Sequence, residues 1–87
     1  MKILITGSAG FIGFHLAQKL LKNKKYKIIG IDNLNNYYDV RIKNQRNRIL
    51  KKNKNYTFFK VDISNNKNIE KLFKKYKFDF IFHLAAQ

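Results

Sequence analysis

Near the amino end of the chain, TGSAGFIG sets Gly7, Gly10 and Gly13 three residues apart. A phosphate diester that approaches a backbone closely leaves no room for a Cβ. Glycine permits both that approach and a tight reversal of the chain. The first N–H groups of a helix, with their partial positive charge, then hold pyrophosphate without any charged side chain. Gly13, one turn into such a helix, lets helix and strand pack closely. Asp32 follows Gly13 by 19 residues and ends the apolar run YKIIGID. That is close to the offset of about 20 residues expected of a carboxylate that accepts the hydroxyls of an adenosine ribose. The spacing is G-x-x-G-x-x-G rather than G-x-G-x-x-G, and three glycines alone are weak evidence. A glycine turn, a helix and a strand-end acid at the matching offset together imply a dinucleotide site.

These groups need elements to position them. Lys2 to Thr6 reads as a short buried strand, and residues 11–23 as a helix with Ile12, Leu16 and Leu20 at four-residue spacing, flanked by Ala17 and Leu21. Tyr26 to Asp32 is a second strand, and NLNNYYD a loop. Residues 40–52 read as a strongly basic helix with a thin apolar face of Ile42, Ile49 and Leu50. Tyr56 to Asp62 is a third strand. Ile69, Leu72, Phe73 and Tyr76 mark an amphipathic helix at about 66–76, with Ser64 as its expected N-cap. Phe78 to His83 is a fourth strand. The order β-α-β-α-β-α-β predicts an α/β fold, a parallel sheet with helical crossovers.

With 87 residues the chain is one small domain, and no cysteine is present to staple it. The absence of cysteine fits a reducing compartment. No stretch approaches the ~18 apolar residues of a membrane span, and ILI is too short for a signal peptide. The net charge is +14. It reads as biased composition with solvated lysines spread along the chain rather than as a nucleic-acid surface. The chain stops at LAAQ, where ligands of open parallel sheets sit. It therefore reads as the first part of a longer enzyme, a domain (1–87) incomplete at its carboxyl end.

TGSAGFIG resembles the TGxxGxxG loop of the extended short-chain dehydrogenase/reductase family. GIDNLNNYYDVRIK resembles the segment after the second strand in that family's nucleotide-sugar 4-epimerases, most of all the UDP-glucuronate 4-epimerase branch. VDI (61–63) and FHLAAQ (82–87) match the same family at the ends of the third and fourth strands. The resemblance implies a Rossmann-type sheet, the N-terminal part of a doubly wound NAD-binding domain. It implies that Gly7, Gly10, Phe11, Ile12 and Gly13 form the pyrophosphate turn. Asp32 would hold the adenosine ribose, with Asn33 and Asn35 nearby. Asp62 would bond the adenine amino group, and Ile63 would line the adenine pocket. Leu84, Ala85 and Ala86 would pass under the cofactor. The activity implied is a transient oxidation at the sugar C4, rotation of the keto sugar, and return of hydride to its other face. It also implies a cytoplasmic enzyme of surface-polysaccharide biosynthesis, a homodimer acting on a UDP-sugar, with no nucleic-acid or membrane partner and no metal. NAD is expected over NADP, because Asp32 would repel a 2′-phosphate; Lys43 or Arg41 would rescue NADP if the loop after the second strand folded back.

In that family a Tyr-x-x-x-Lys pair moves the proton, its lysine lowering the tyrosine pKa. Tyr56-Thr-Phe-Phe-Lys60 has the spacing but falls in a strand, where i and i+4 lie about 13 Å apart. No catalytic residue is therefore expected in these 87 residues, which alone should be inactive and fold poorly. His83, ending a strand read as buried, is expected to pack or hydrogen-bond. Alternatives are a 4,6-dehydratase or reductase of the same family and a non-catalytic NAD-binding relic. Outside enzymes, the alternative is a nucleic-acid module using Arg41, Lys43, Arg46, Arg48, Lys51 and Lys52.

Overall fold

A computed structural model describes residues 1–34 and 40–85. The elements alternate as β1 (Lys2–Thr6), α1 (Phe11–Leu21), β2 (Lys27–Asp32), α2 (Val40–Lys51), β3 (Tyr56–Lys60), α3 (Asn66–Lys75) and β4 (Phe80–His83). The four strands form one parallel sheet in the order β3-β2-β1-β4. The chain thus steps outward from β1 to β3 and returns to the other side of β1. Strand order reverses between β1 and β4, and such a switch point opens a crevice at the carboxyl ends of the strands.

Side-chain alternation divides the sheet between two cores. Ile3, Ile5, Ile28 and Tyr56 meet Phe14, Ala17 and Leu21 of α1 and Leu50 of α2 on one face. Leu4, Ile29 and Ile31 meet Leu72 of α3 on the other. The two inner strands are buried almost throughout, whereas all four residues of β4 are exposed. The expectation that His83 ends a buried strand is therefore corrected.

The helices sit in a different rotation from the one their apolar spacing predicts. On α1 the buried face is Gly13, Phe14, Ala17 and Leu21, while Ile12 is exposed and Leu16 and Leu20 flank the core. Small residues at 13 and 17 let the helix approach the sheet, and that approach fixes its rotation. On α2 Ile42 and Ile49 are exposed, and the buried positions are Lys43, Asn47 and Leu50. Polar partners at the end of β2 draw this face inward.

Boundaries differ by small amounts with clear causes. β3 stops at Lys60, short of the expected Asp62. Val61 still donates its N–H to the Asp32 carbonyl (3.1 Å), and then Asp62 accepts from the Ser64 N–H (2.9 Å) and turns the chain. The Ser64 hydroxyl is spent on the same carboxylate (2.8 Å). The cap of α3 is Asn65 instead, accepting from the Asn68 N–H at 3.2 Å.

Candidate dinucleotide site

The glycine turn is built at the carboxyl end of β1. Gly7 has φ +74°, a left-handed conformation that favours glycine. Its N–H and that of Ser8 both donate to the Ile31 carbonyl (2.8 and 3.2 Å), and Gly10 donates back to the Gly7 carbonyl (3.1 Å). The cradle has no room for side chains. A Cβ on Gly13 would run into the Gly7 carbonyl, and one on Gly7 would lie 2.9 Å from the Ala85 backbone. Gly10 is less crowded, with the Gly7 oxygen at 3.2 Å from such a Cβ.

Gly10 caps α1 without a side-chain hydrogen bond, and no acid lies in the first turn. The contrast with α3, capped by Asn65, is chemical: the α1 amino end offers N–H groups and partial positive charge that no side chain of its own cap satisfies. Phe11 and Ile12 project outward there, about two-thirds exposed.

Asp32 closes the site at the end of β2. Its side chain is buried and accepts three bonds, from Ala9 N–H to Oδ2 (3.1 Å), Leu34 N–H to Oδ1 (2.8 Å) and Lys43 Nζ to Oδ1 (3.4 Å). One carboxylate therefore ties the glycine turn to the loop after β2 and to α2. Lys43, expected as a solvated lysine, is buried in this ion pair. One helical turn on, Arg46 donates Nη1–H to the Ala9 carbonyl (3.2 Å) and lies over the Phe11 ring. Lys51 lies over Phe58. Lys43, Arg46 and Lys51, all cations of the nucleic-acid alternative, thus engage this chain's own groups. The pairing of Lys43 with Asp32 escaped sequence reasoning; its signal is the i, i+4, i+7 spacing of Lys43, Asn47 and Leu50.

Across the switch point, Thr6 gathers β4. Its Oγ1 accepts from the N–H groups of Leu84 (2.9 Å) and Ala85 (3.2 Å) and contacts His83 Nδ1 (2.8 Å). The Leu84 N–H is shared with the Thr6 carbonyl oxygen (3.1 Å). His83 is hydrogen-bonded, as expected. Leu84 and Ala85 pass against Gly7, beneath the turn.

Asp62 stands exposed two residues past the end of β3. The backbone and hydroxyl of Ser64 donate to its carboxylate and hold its pKa below the ordinary 3.8. Ile63 packs on the α3-side core. Asn33 is half-buried directly after Asp32. Asn35 and Ala86 lie outside the described residues. The Tyr-x-x-x-Lys of β3 is not a proton-transfer pair: burial pushes the Tyr56 phenol up to about 12, away from a phenolate base.

The family model for GDP-mannose 4,6 dehydratase matches residues 4–87. An uncharacterized protein of Methanocaldococcus jannaschii is 54% identical over 98% of this chain and 26% of its own length. A UDP-glucuronate 4-epimerase of Thermodesulfobacterium geofontis is 43% identical over 97% of the chain and 26% of its own length. The crystal structure of UDP-glucuronic acid 4-epimerase from Bacillus cereus, in complex with UDP-glucuronic acid and NAD, superposes with a TM-score of 0.88 at 42% identity. It covers 99% of this chain and 26% of that one. The chain thus spans about a quarter of the length of the relatives it matches. With the glycine turn, the strand-end acids and the sheet order all in place, the chain belongs to the family of the GDP-mannose 4,6 dehydratase model, the NAD-dependent epimerases and dehydratases of the extended short-chain dehydrogenase/reductases.

Proposed function

We propose that this chain is the cofactor-binding part of an NAD-dependent nucleotide-sugar 4-epimerase, of the kind that interconverts UDP-glucuronate and UDP-galacturonate for surface polysaccharide. The observation that carries the reading is the side-chain-free cradle of Gly7, Gly10 and Gly13 under the uncapped amino end of α1. The cradle suits a pyrophosphate, held by the first-turn N–H groups of α1. Asp32 supplies a ribose acceptor, Asp62 an acceptor for the adenine amino group, and Leu84 and Ala85 a floor. Held by these residues, NAD would supply reversible hydride acceptance at the sugar C4. Proton transfer to and from the sugar falls to residues outside this chain. The working enzyme is a cytoplasmic homodimer acting on a UDP-sugar. The relative from Thermodesulfobacterium geofontis and the Bacillus cereus structure support the substrate class.

Calorimetric titration with NAD tests the cofactor reading. Saturable binding that survives moderate salt is expected. Affinity for nucleic acid that falls steeply with salt, without NAD binding, would reverse it. The matching family model favours 4,6-dehydration as a second reading. The protein at its relatives' length, incubated with UDP-glucuronate, distinguishes the two. A 4-epimer is expected, and a 4-keto-6-deoxy product from another nucleotide sugar would favour the dehydratase.

A further inference from the structure

The Tyr56 hydroxyl donates a buried hydrogen bond to Ser8 Oγ at 3.0 Å, across the sheet from the first residue of β3 to the glycine turn. Ser8 is fully buried, and Tyr56 belongs to the core formed with α1 and α2. Between them lies Gly30 of β2. A Cβ there would collide with the Tyr56 hydroxyl and come within 2.8 Å of the Ser8 Cβ. An isolated glycine inside a strand marks a close approach, and here two hydroxyl-bearing side chains use the space.

The backbone of the turn is already tied to the tip of β2. Gly7 and Ser8 bond to the Ile31 carbonyl and Ala9 to the Asp32 carboxylate. The Tyr56 bond adds a tie of a different direction, from within the core onto the side chain of Ser8. It fixes how far the peptides of Ser8, Ala9 and Gly10 stand off the sheet. We propose that Tyr56 is a positioning residue for the dinucleotide turn, acting through Ser8 to hold the turn's N–H groups at the height at which they meet pyrophosphate. The inference rests on the NAD-binding reading above, and it gives a role to a tyrosine that catalysis does not use. Burial keeps the phenol protonated, so the donor is present at every working pH.

The test compares Tyr56→Phe and the double variant Ser8→Ala/Tyr56→Phe with the unaltered protein. Two readouts are amide hydrogen exchange without nucleotide and NAD affinity by calorimetry. Tyr56→Phe leaves the Ser8 hydroxyl buried and unpaired, whereas the double variant removes both partners and restores stability. In both variants the amides of Ser8, Ala9 and Gly10 are expected to exchange about tenfold faster while that of Tyr76, at the end of α3, keeps its rate. NAD affinity should fall about tenfold in both. Equal acceleration at Tyr76 would mean global loosening and overturn the proposal. So would NAD affinity and turn exchange within about twofold of the unaltered protein, or recovery of affinity in the double variant. If Tyr56→Phe does not fold, the double variant carries both measurements. If the unaltered protein binds no NAD, the cofactor reading fails, and the exchange measurement alone decides whether the tether exists.

Discussion

Two acids lie where neighbouring strands finish, Asp32 as the last residue of β2 and Asp62 two residues past β3, and they are held in opposite ways. Asp32 is buried and accepts from the glycine turn, from the loop after β2 and from a lysine on α2. Asp62 is exposed, and the bonds it accepts come from Ser64, two residues along. The first corner is assembled from distant parts of the chain, so its geometry depends on the whole fold. The second is a local turn, an Asp side chain accepting from the residue two places on. Disturbance at the Asp32 corner should therefore cost stability and binding together, and disturbance at Asp62 binding alone.

The largest effect expected at the assembled corner comes from Gly13→Ala. The added Cβ meets the Gly7 carbonyl, and neither backbone can yield without lifting α1. A loss of about 3 kcal/mol or more is expected, the range of severe overpacking. At Gly10 the same methyl group meets that oxygen at 3.2 Å, tight but open to small adjustment. Gly10→Ala should cost about 1 kcal/mol or less. Urea denaturation of the two variants checks the order; equal losses would show that the crowding at Gly13 is not what limits it.

Asp32→Ala comes next. It takes one carboxylate away from the buried Lys43 ammonium and deprives the Ala9 N–H of the glycine turn and the Leu34 N–H of the loop after β2 of an acceptor. Removing one partner of a buried pair costs about 3 kcal/mol. Asp62→Ala should change stability by less than about 0.5 kcal/mol. Parallel melts of the two alanine variants break the comparison if their losses prove alike.

The difference between the corners also decides what the sequence could reveal. Element order, sheet class and the strand-end acids follow from local signals: β-branched runs, glycine spacing and helical period. Asp62 is legible because its partners are its neighbours in sequence, although the competition between Ser64 and Asn65 for the cap was resolved only by geometry. The partners of Asp32 are not legible in that way. Lys43 reads as one more basic residue on a basic helix until the fold turns it inward. The rotation of α1 follows from the depth to which Gly13 and Ala17 approach the sheet, which the apolar repeat of Ile12, Leu16 and Leu20 does not encode. The Ser8–Tyr56 bond spans 48 residues, and its one sequence trace is Gly30, a glycine where a strand would otherwise place a side chain.

The assembled corner carries a pH signature at the alkaline end. Burial raises the Tyr56 phenol from 10.0 to about 12. A phenol whose pKa is higher in the folded chain stabilises fully below its unfolded value. That contribution is lost as pH rises through the folded value. Stability should fall between about pH 10 and 12 by on the order of 2 kcal/mol. Tyr56→Phe should remove this part of the slope, as read from denaturation midpoints across that range. An unchanged slope would mean that the phenol titrates normally.

Lys43 should matter for choice of cofactor as well as for folding. Its charge at 3.4 Å offsets the repulsion that Asp32 would exert on a 2′-phosphate. Lys43→Met keeps most of the side-chain volume and leaves Asp32 its two backbone donors. The preference for NAD over NADP should then rise by about tenfold, a Coulomb effect of the size expected at partly buried positions. Titration of both cofactors at one ionic strength measures it, and a preference that falls would assign Lys43 to something other than charge compensation.

The smallest effect belongs to the local corner. The Ser64 backbone and hydroxyl bonds hold the Asp62 pKa below 3.8. A carboxylate lowered in the folded chain adds stability above its unfolded pKa, and that contribution fades as pH falls through the folded value. Because the group is fully exposed, the change should be visible in its own titration rather than in a melt. Carbon NMR of the side-chain carboxyl should show titration below 3.8. Ser64→Ala should move the value part of the way back, since the backbone donor remains. The same substitution should leave the melt and the Asp32 corner as they were, because nothing in the turn at Asp62 is shared with Lys43 or Ala9. If Ser64→Ala also altered exchange at the Ala9 amide, the two acids would be parts of one coupled network rather than an assembled corner beside a local one.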